Sequence, residues 1–256
     1  MRTMKKISLT IIALIVLGGG AWFVWRHENA AKTASSTQSK TNGITATISG
    51  FNKKQYSLTD PTSIWIIVNK QHPLNPKDYA PSDLVVPNVP LRVPGNESME
   101  VRHVTATALQ TMFAAAKSQG INLMLASGYR SYGYQVSLYN GYIQTQGQAT
   151  ADTQSARPGY SEHQTGLAAD LEPASRICEV EQCFAGTAEG KWLVANAYKY
   201  GFIIRYSADK VAVTGYEYEP WHVRYVGTAL SGEMRQEGIE TLEEFFGVSG
   251  GPNYNT

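Results

Sequence analysis

The chain has 256 residues, with 22 lysines and arginines against 21 aspartates and glutamates and a formal net charge of +1. That length supports one well-formed core with short appendages. The near-neutral balance argues against nucleic acid as a partner, because phosphate binding leaves a basic excess.

Arg2, Lys5 and Lys6 precede an uncharged run from Ile7 to Trp25. As a helix, that run rises about 28 Å, close to the hydrocarbon thickness of a bilayer. Trp22 and Trp25 sit at its far end, where indole rings favour the interface. Basic residues cluster before the run, and only Arg26 follows it closely, which orients residues 1–6 to the cytoplasm and the rest to the outside. No A-x-A site precedes Arg26, so the expectation is an uncleaved single-pass membrane anchor over 7–25; a cleaved signal peptide would leave the domain secreted. Residues 30–47, "AAKTASSTQSKTNGITAT", lack the apolar groups that offset ordering entropy, and 26–55 reads as a flexible linker. The folded domain is expected over 56–250, with 251–256 as a tail.

Within the domain, "SIWIIVNK" (63–70) is rich in β-branched residues and predicts a strand. "HPLNPKDYAPSDLVVPNVP" follows; its prolines force an extended, irregular wrap. From Glu100 to Gln119, Val101, Val104, Ala108, Met112, Ala115 and Ala116 recur at helical spacing, and Gly120 stops the helix. "INLMLAS" reads as a buried strand that delivers "GYRS". Leu167–Leu171 predicts a short strand, and Gly190–Tyr200 a helix with Trp192, Leu193, Ala195 and Ala197 inward. "FIIRY" predicts a strand, "WHVRYVG" a strand passing into a loop, Thr228–Glu237 a helix and "TLEEFFG" a terminal turn. Strands and helices mix without regular βαβ alternation, so the fold class is α+β. Cys178 and Cys183, in "CEVEQC", are expected to form a disulfide in an oxidising compartment; one C-x4-C pair is a weak zinc signal.

The chemistry concentrates in "SEHQTGLAAD", 161–170. A continuous helix would separate His163 from Asp170 by about 10.5 Å, and a straight strand would put them on opposite faces. The stretch must therefore bend. Gly166 permits the turn, and Ala168 allows close backbone packing beside the site. His163 then comes from a loop and Asp170 from the strand after it. "EYEPWHVRY", 217–225, supplies a third ligand in His222. Two imidazoles and a carboxylate plus water are a usual donor set of catalytic zinc. Pro220 keeps Glu219 out of helical geometry; the stretch can still set one carboxylate near the ion without binding it, and Glu219 is the candidate general base. Glu217 is set aside. "SGYRSYGYQ", 127–135, offers Arg130, a permanently charged fork suited to an oxyanion or a carboxylate; Gln135 and Ser161 add hydrogen bonds. Trp221 reads as core packing, and His27, His72 and His103 lack ligand-like neighbours.

The ordered set S-G-Y-R-S, S-x-H-x-x-G-x-A-x-D and E-x-W-H resembles the zinc D-alanyl-D-alanine carboxypeptidases of the VanY type, including the related L,D-carboxypeptidases that trim peptidoglycan tetrapeptides. "VNKQHPLNPKDYAPSDLV" is similar to that group's N-terminal wrap. The resemblance spans roughly residues 60–247. It implies a small α+β domain with a central antiparallel sheet flanked by helices, and one Zn2+ held by His163, Asp170 and His222. It also implies Glu219 as catalytic base and Arg130 as carbonyl and oxyanion stabiliser. Ser161 and Gln135, with Ser127 and Tyr129 of the S-G-Y-R stretch, are the implied substrate contacts. The implied activity is removal of the C-terminal D-alanine from peptidoglycan stem peptides; a D,D-dipeptidase, an endopeptidase and a non-catalytic zinc-containing wall-binding module are the rivals. Residues 172–190 depart from the pattern: the segment is long, and its cysteine pair is not part of the family motif.

Overall fold

The structure is a computed structural model in which residues 50–255 are described. The apolar run 7–25 and the spacer up to residue 49 lie outside them. Among the described residues no helix is long and apolar enough to cross a membrane.

The elements run β1 (Leu84–Val85), β2 (Val101–Arg102), α1 (His103–Ser118), β3 (Leu123–Ser127), α2 (Tyr132–Gln146) and α3 (Gln148–Gln154). They continue with β4 (Ala168–Pro173), α4 (Ala188–Asn196), β5 (Phe202–Tyr206), α5 (Val211–Thr214), β6 (Glu219–Tyr225), α6 (Thr228–Glu237) and α7 (Leu242–Phe246). β1 and β2 pair as a small ribbon. The central sheet has the order β3-β4-β6-β5, antiparallel throughout.

Side chains alternate across each strand. Leu123 and Leu125 of β3, Ala169 and Leu171 of β4, Phe202 of β5 and Val223 of β6 share a core with Leu109, Met112 and Phe113 of α1 and Trp192 and Leu193 of α4. Asp170 of β4 and His222 of β6 are the alternate residues and so emerge on the opposite face. They are also direct cross-strand partners. α1 and α4 cover one face of the sheet; the other carries the polar groups of the site, with α6 and α7 packed on Ile203 of β5.

The segment 63–70 is not a strand. Residues 65–70 are buried, but no neighbouring strand supplies a ladder; Asn69 makes only an isolated bridge to His72. The Arg224 guanidinium donates instead, from Nη2 to the carbonyls of Ile66 (2.7 Å) and Ile64 (3.2 Å), while Ile67 N donates to Leu58 O. Two ends assigned to linker and tail belong to the domain. Phe51 stacks on Trp65, with ring centroids 5.5 Å apart, and meets Phe245 edge-on. At the other end, Tyr254 accepts from Arg157 N (2.9 Å), and the Lys70 ammonium donates to the carbonyls of Gly215 and Pro252. In each case an aromatic ring or a buried donor outweighs a polar local composition.

The bend in 161–170 forms as the spacing requires. Residues 162–165 make one 3-10 turn, and Gly166 ends it at φ +66°. A Cβ there would lie 2.8 Å from Arg102 Cγ and 3.1 Å from Arg102 N. Gly166→Ala combines that clash with a left-handed backbone, and it is expected to cost about 1–3 kcal/mol, read as a lower midpoint in urea unfolding.

Candidate active site

His163 reaches the polar face of the sheet from the 3-10 turn, Asp170 from the middle of β4 and His222 from the middle of β6. All three are buried. The His163 Nδ1–H donates to the carbonyl of Gly128 at 2.6 Å, which leaves its Nε2 lone pair facing inward, 3.4 Å from Asp170 Oδ2. His222 Nδ1 lies 3.3 Å from Asp170 Oδ1 and 3.3 Å from Glu219 Oε2. One nitrogen or oxygen from each of the three residues lies within 4.8 Å of the others. His163 Nε2 and Asp170 Oδ1 are buried without a hydrogen-bond partner, which is costly unless a cation satisfies them. Two imidazoles and one carboxylate with unspent lone pairs fit a zinc ion and leave a coordination position for water.

Glu219 opens β6, and its carboxylate faces His222 without closing the triad. Burial pushes its carboxyl up, against the pull of His222. Burial, with the Arg130 charge behind it, lowers His163 to about 4, against Asp170. Burial opposes ionisation of Asp170, yet His163 and His222 hold it well below the usual carboxylate range. Burial also opposes a charge on His222, but the facing carboxylates of Asp170, Glu162 and Glu219 raise it well above the usual imidazole value. Three carboxylates surround this imidazole; Arg205 and Arg224 neutralise Glu162, which leaves Asp170 and Glu219 facing the ring.

Arg130 stands beyond the end of β3, its Nη2 at 3.9 Å from Asp170 Oδ2. Its Nη1 donates to Gln135 Oε1 (3.2 Å), and Gln135 Nε2 donates in turn to Ser155 Oγ (3.1 Å) and Ala156 O (2.7 Å). A cleft of about 700 Å3 opens above Asp170, Arg130 and Glu219.

The sequence profile of VanY, described as D-alanyl-D-alanine carboxypeptidase, matches residues 98–228. That stretch holds every residue of the buried triad together with Glu219 and Arg130. The chain belongs to the VanY family. It is 46% identical over 193 residues to the putative carboxypeptidase YodJ of Bacillus subtilis strain 168, covering 74% of this chain and 69% of that one. Among solved structures it is similar to the LdcB LD-carboxypeptidase, with 45% identity and a TM-score of 0.69 over 74% of this chain and 88% of that one. It is also similar to the D,D-pentapeptidase VanY of a VanB-type vancomycin-resistance cassette, solved with Zn(II), with 32% identity and a TM-score of 0.57 over 70% of this chain and 97% of that one.

Within this VanY domain, Ser127 lines the main cleft, and Ser161 is buried beside His163 in a small inner pocket. Two expected substrate contacts fall elsewhere. Gln135 is fully buried and spends its amide on Arg130, Ser155 and Ala156, so it holds Arg130 in place. Tyr129 is buried away from the cleft; its neighbour in sequence, Arg130, takes the outward position. Trp221 packs partly on the core and also lines the cleft, beside Glu217, which accepts from Thr153 Oγ1 at 3.1 Å. Cys178 and Cys183 form a disulfide.

Glu162 is the site residue that motif reading missed. Its Oε2 lies 3.6 Å from Nε2 of His222, on the ring edge turned away from Asp170. Its Oε1 accepts from Arg205 Nε (2.8 Å) and Arg224 Nη1 (2.7 Å). Arg205 forks onto Glu243 at 2.9 and 2.7 Å, and Glu243 accepts from Asn69 Nδ2. Burial pushes the Glu162 carboxyl up, but the two guanidiniums outweigh it and keep the group ionised. The available signal was "FIIRY" and "WHVRY": an arginine inside each of two apolar strands demands a buried anion.

Proposed function

We propose that this chain is a zinc carboxypeptidase that removes the C-terminal D-alanine from peptidoglycan stem peptides. The observation that carries the reading is the convergence of His163, Asp170 and His222 under a cleft, with Glu219 3.3 Å from His222 and outside the ligand set. His163, Asp170 and His222 hold the ion. Zinc supplies a Lewis acid and lowers the pKa of bound water toward ~7. Glu219, its basicity raised by burial, takes the proton from the attacking water and returns it to the leaving amine. Arg130, clamped by Gln135, meets the negative charge that develops on the scissile carbonyl.

The preferred end is the tetrapeptide, cut at an L,D bond. The higher identity and TM-score to an LD-carboxypeptidase than to a D,D-enzyme support this. Residues 7–25 anchor the protein in the membrane with the domain outside; the basic cluster before the run and the extracytoplasmic location of peptidoglycan support that arrangement. The test is incubation of the full chain, in mild detergent, with purified tetra- and pentapeptide muropeptides, read by mass. One alanine should leave the tetrapeptide faster than the pentapeptide. A chelator should stop the release, and added zinc should restore it. Release of a dipeptide, cleavage inside the stem, or undiminished turnover in metal-free protein would overturn the proposal.

A further inference from the structure

We infer that the disulfide-closed loop 178–183 is the wall of the cleft that selects the peptide, acting on substrate binding and not on bond cleavage. The inference rests on the carboxypeptidase reading above. Val180, Glu181, Gln182 and Cys183 line the same cleft as Arg130, Asp170 and Glu219. Among the described residues no hydrogen bond or ion pair joins them to the ligand triad or to Glu219, so the loop reaches the substrate's space and leaves the reacting groups alone.

The loop holds a conformation it would not adopt unaided. Arg176, Cys178 and Val180 all have left-handed backbones, with φ of 62°, 60° and 48°. None is glycine, and a β-branched residue there is a genuine outlier. Such strain persists only where the surroundings impose it, and it clusters at functional sites. The surroundings here are specific. The disulfide closes the loop. Glu179 Oε2 accepts from Arg92 Nη2 (3.2 Å) and Arg176 Nη2 (3.0 Å). Arg92 is itself fixed by the buried Glu172 at the end of β4 through Nε (2.8 Å). Directly after Cys183, Phe184 is sunk in the core. These holds tie the loop to β4 and to the core and present its outer residues to the cleft. L,D and D,D ends differ in the configuration of the residue before the cleaved bond, and a fixed wall can discriminate there.

The test compares the wild-type chain with two variants: Cys178→Ser/Cys183→Ser, which unlocks the loop, and Glu181→Ala/Gln182→Ala, which trims exposed side chains and leaves the disulfide intact. kcat and KM are measured on tetra- and pentapeptide muropeptides, with zinc content and far-ultraviolet circular dichroism alongside. Both variants should raise KM on the preferred end about tenfold and shrink the tetra-to-penta ratio of kcat/KM. Their kcat should stay within about twofold, and their zinc content should not change. Cys183 is exposed, so a phosphine reductant should bring wild-type protein to the serine variant's values. Unchanged KM and selectivity in both variants overturn the loop's role while the activity reading stands. Loss confined to kcat, or accompanied by loss of zinc, also overturns it. Absence of alanine release by wild-type protein overturns both.

Discussion

Glu219→Gln releases D-alanine about 10²–10⁴-fold more slowly than the parent and binds zinc as the parent does. The amide keeps the shape of the side chain and one oxygen to face His222, but it cannot accept a proton. The expectation follows from where Glu219 sits. Pro220 holds it in extended backbone at the start of β6, its Oε2 is 3.3 Å from His222 Nδ1, and burial raises its carboxyl. A base of raised pKa transfers a proton more effectively near neutral pH than an ordinary glutamate. Steady-state kinetics on a tetrapeptide muropeptide, with zinc measured by elemental mass spectrometry, decide the matter. Full turnover in the variant would assign the base elsewhere. Loss of zinc would make Glu219 a ligand. A wall-binding module would have no turnover to lose.

Removal of Glu162 should damage the protein in two separable ways. Glu162→Ala leaves Arg205 and Arg224 buried with one anion fewer, and breaking a buried ion pair from one side costs about 3–5 kcal/mol. Glu162→Gln keeps the volume and part of the hydrogen bonding but loses the carboxylate behind His222. Outer carboxylates that orient a ligating imidazole are typically worth 10–100-fold in metal affinity or activity, so zinc affinity should fall by that factor in the glutamine variant. Competition with a chromophoric chelator measures the affinity, and thermal unfolding of metal-free protein measures the stability. If Glu162 served only packing, unfolding would shift and the zinc constant would not. Glu162→Asp should recover part of the affinity, since it restores the charge at a slightly longer reach.

Much of this site was legible because its constraints are local. The seven-residue spacing of His163 and Asp170 excludes both a helix and a straight strand, and Gly166 supplies the bend that remains. The helices at 103–118 and 228–237 carried apolar spacing or clear stops. What stayed hidden depends on partners far away in the chain. "SIWIIVNK" has strand composition, but its carbonyls bond to the Arg224 guanidinium and not to a neighbouring strand. α2, with Tyr139 and Gln135 as its buried residues, has little amphipathic signal to read. The resemblance implies Gln135 and Tyr129 as substrate contacts; only coordinates distinguish a residue that touches a ligand from one that props the residue that does, as Gln135 does Arg130. Phe51 and Tyr254 lie in polar stretches, and each is recruited by an aromatic ring distant in sequence.

β4 and β6 are the two interior strands of the sheet, and Asp170 and His222 face each other across them. Interior strands are the last part of a domain to open in native-state fluctuations, so the Asp170–His222 pair survives any loosening that spares the sheet, while His163 depends on the turn before β4. Edges and crossings, by contrast, can be lengthened, recut or cross-linked without disturbing that pair. The connection between β4 and α4 is one such crossing, and a scaffold arranged this way can change what it accepts while keeping how it cuts.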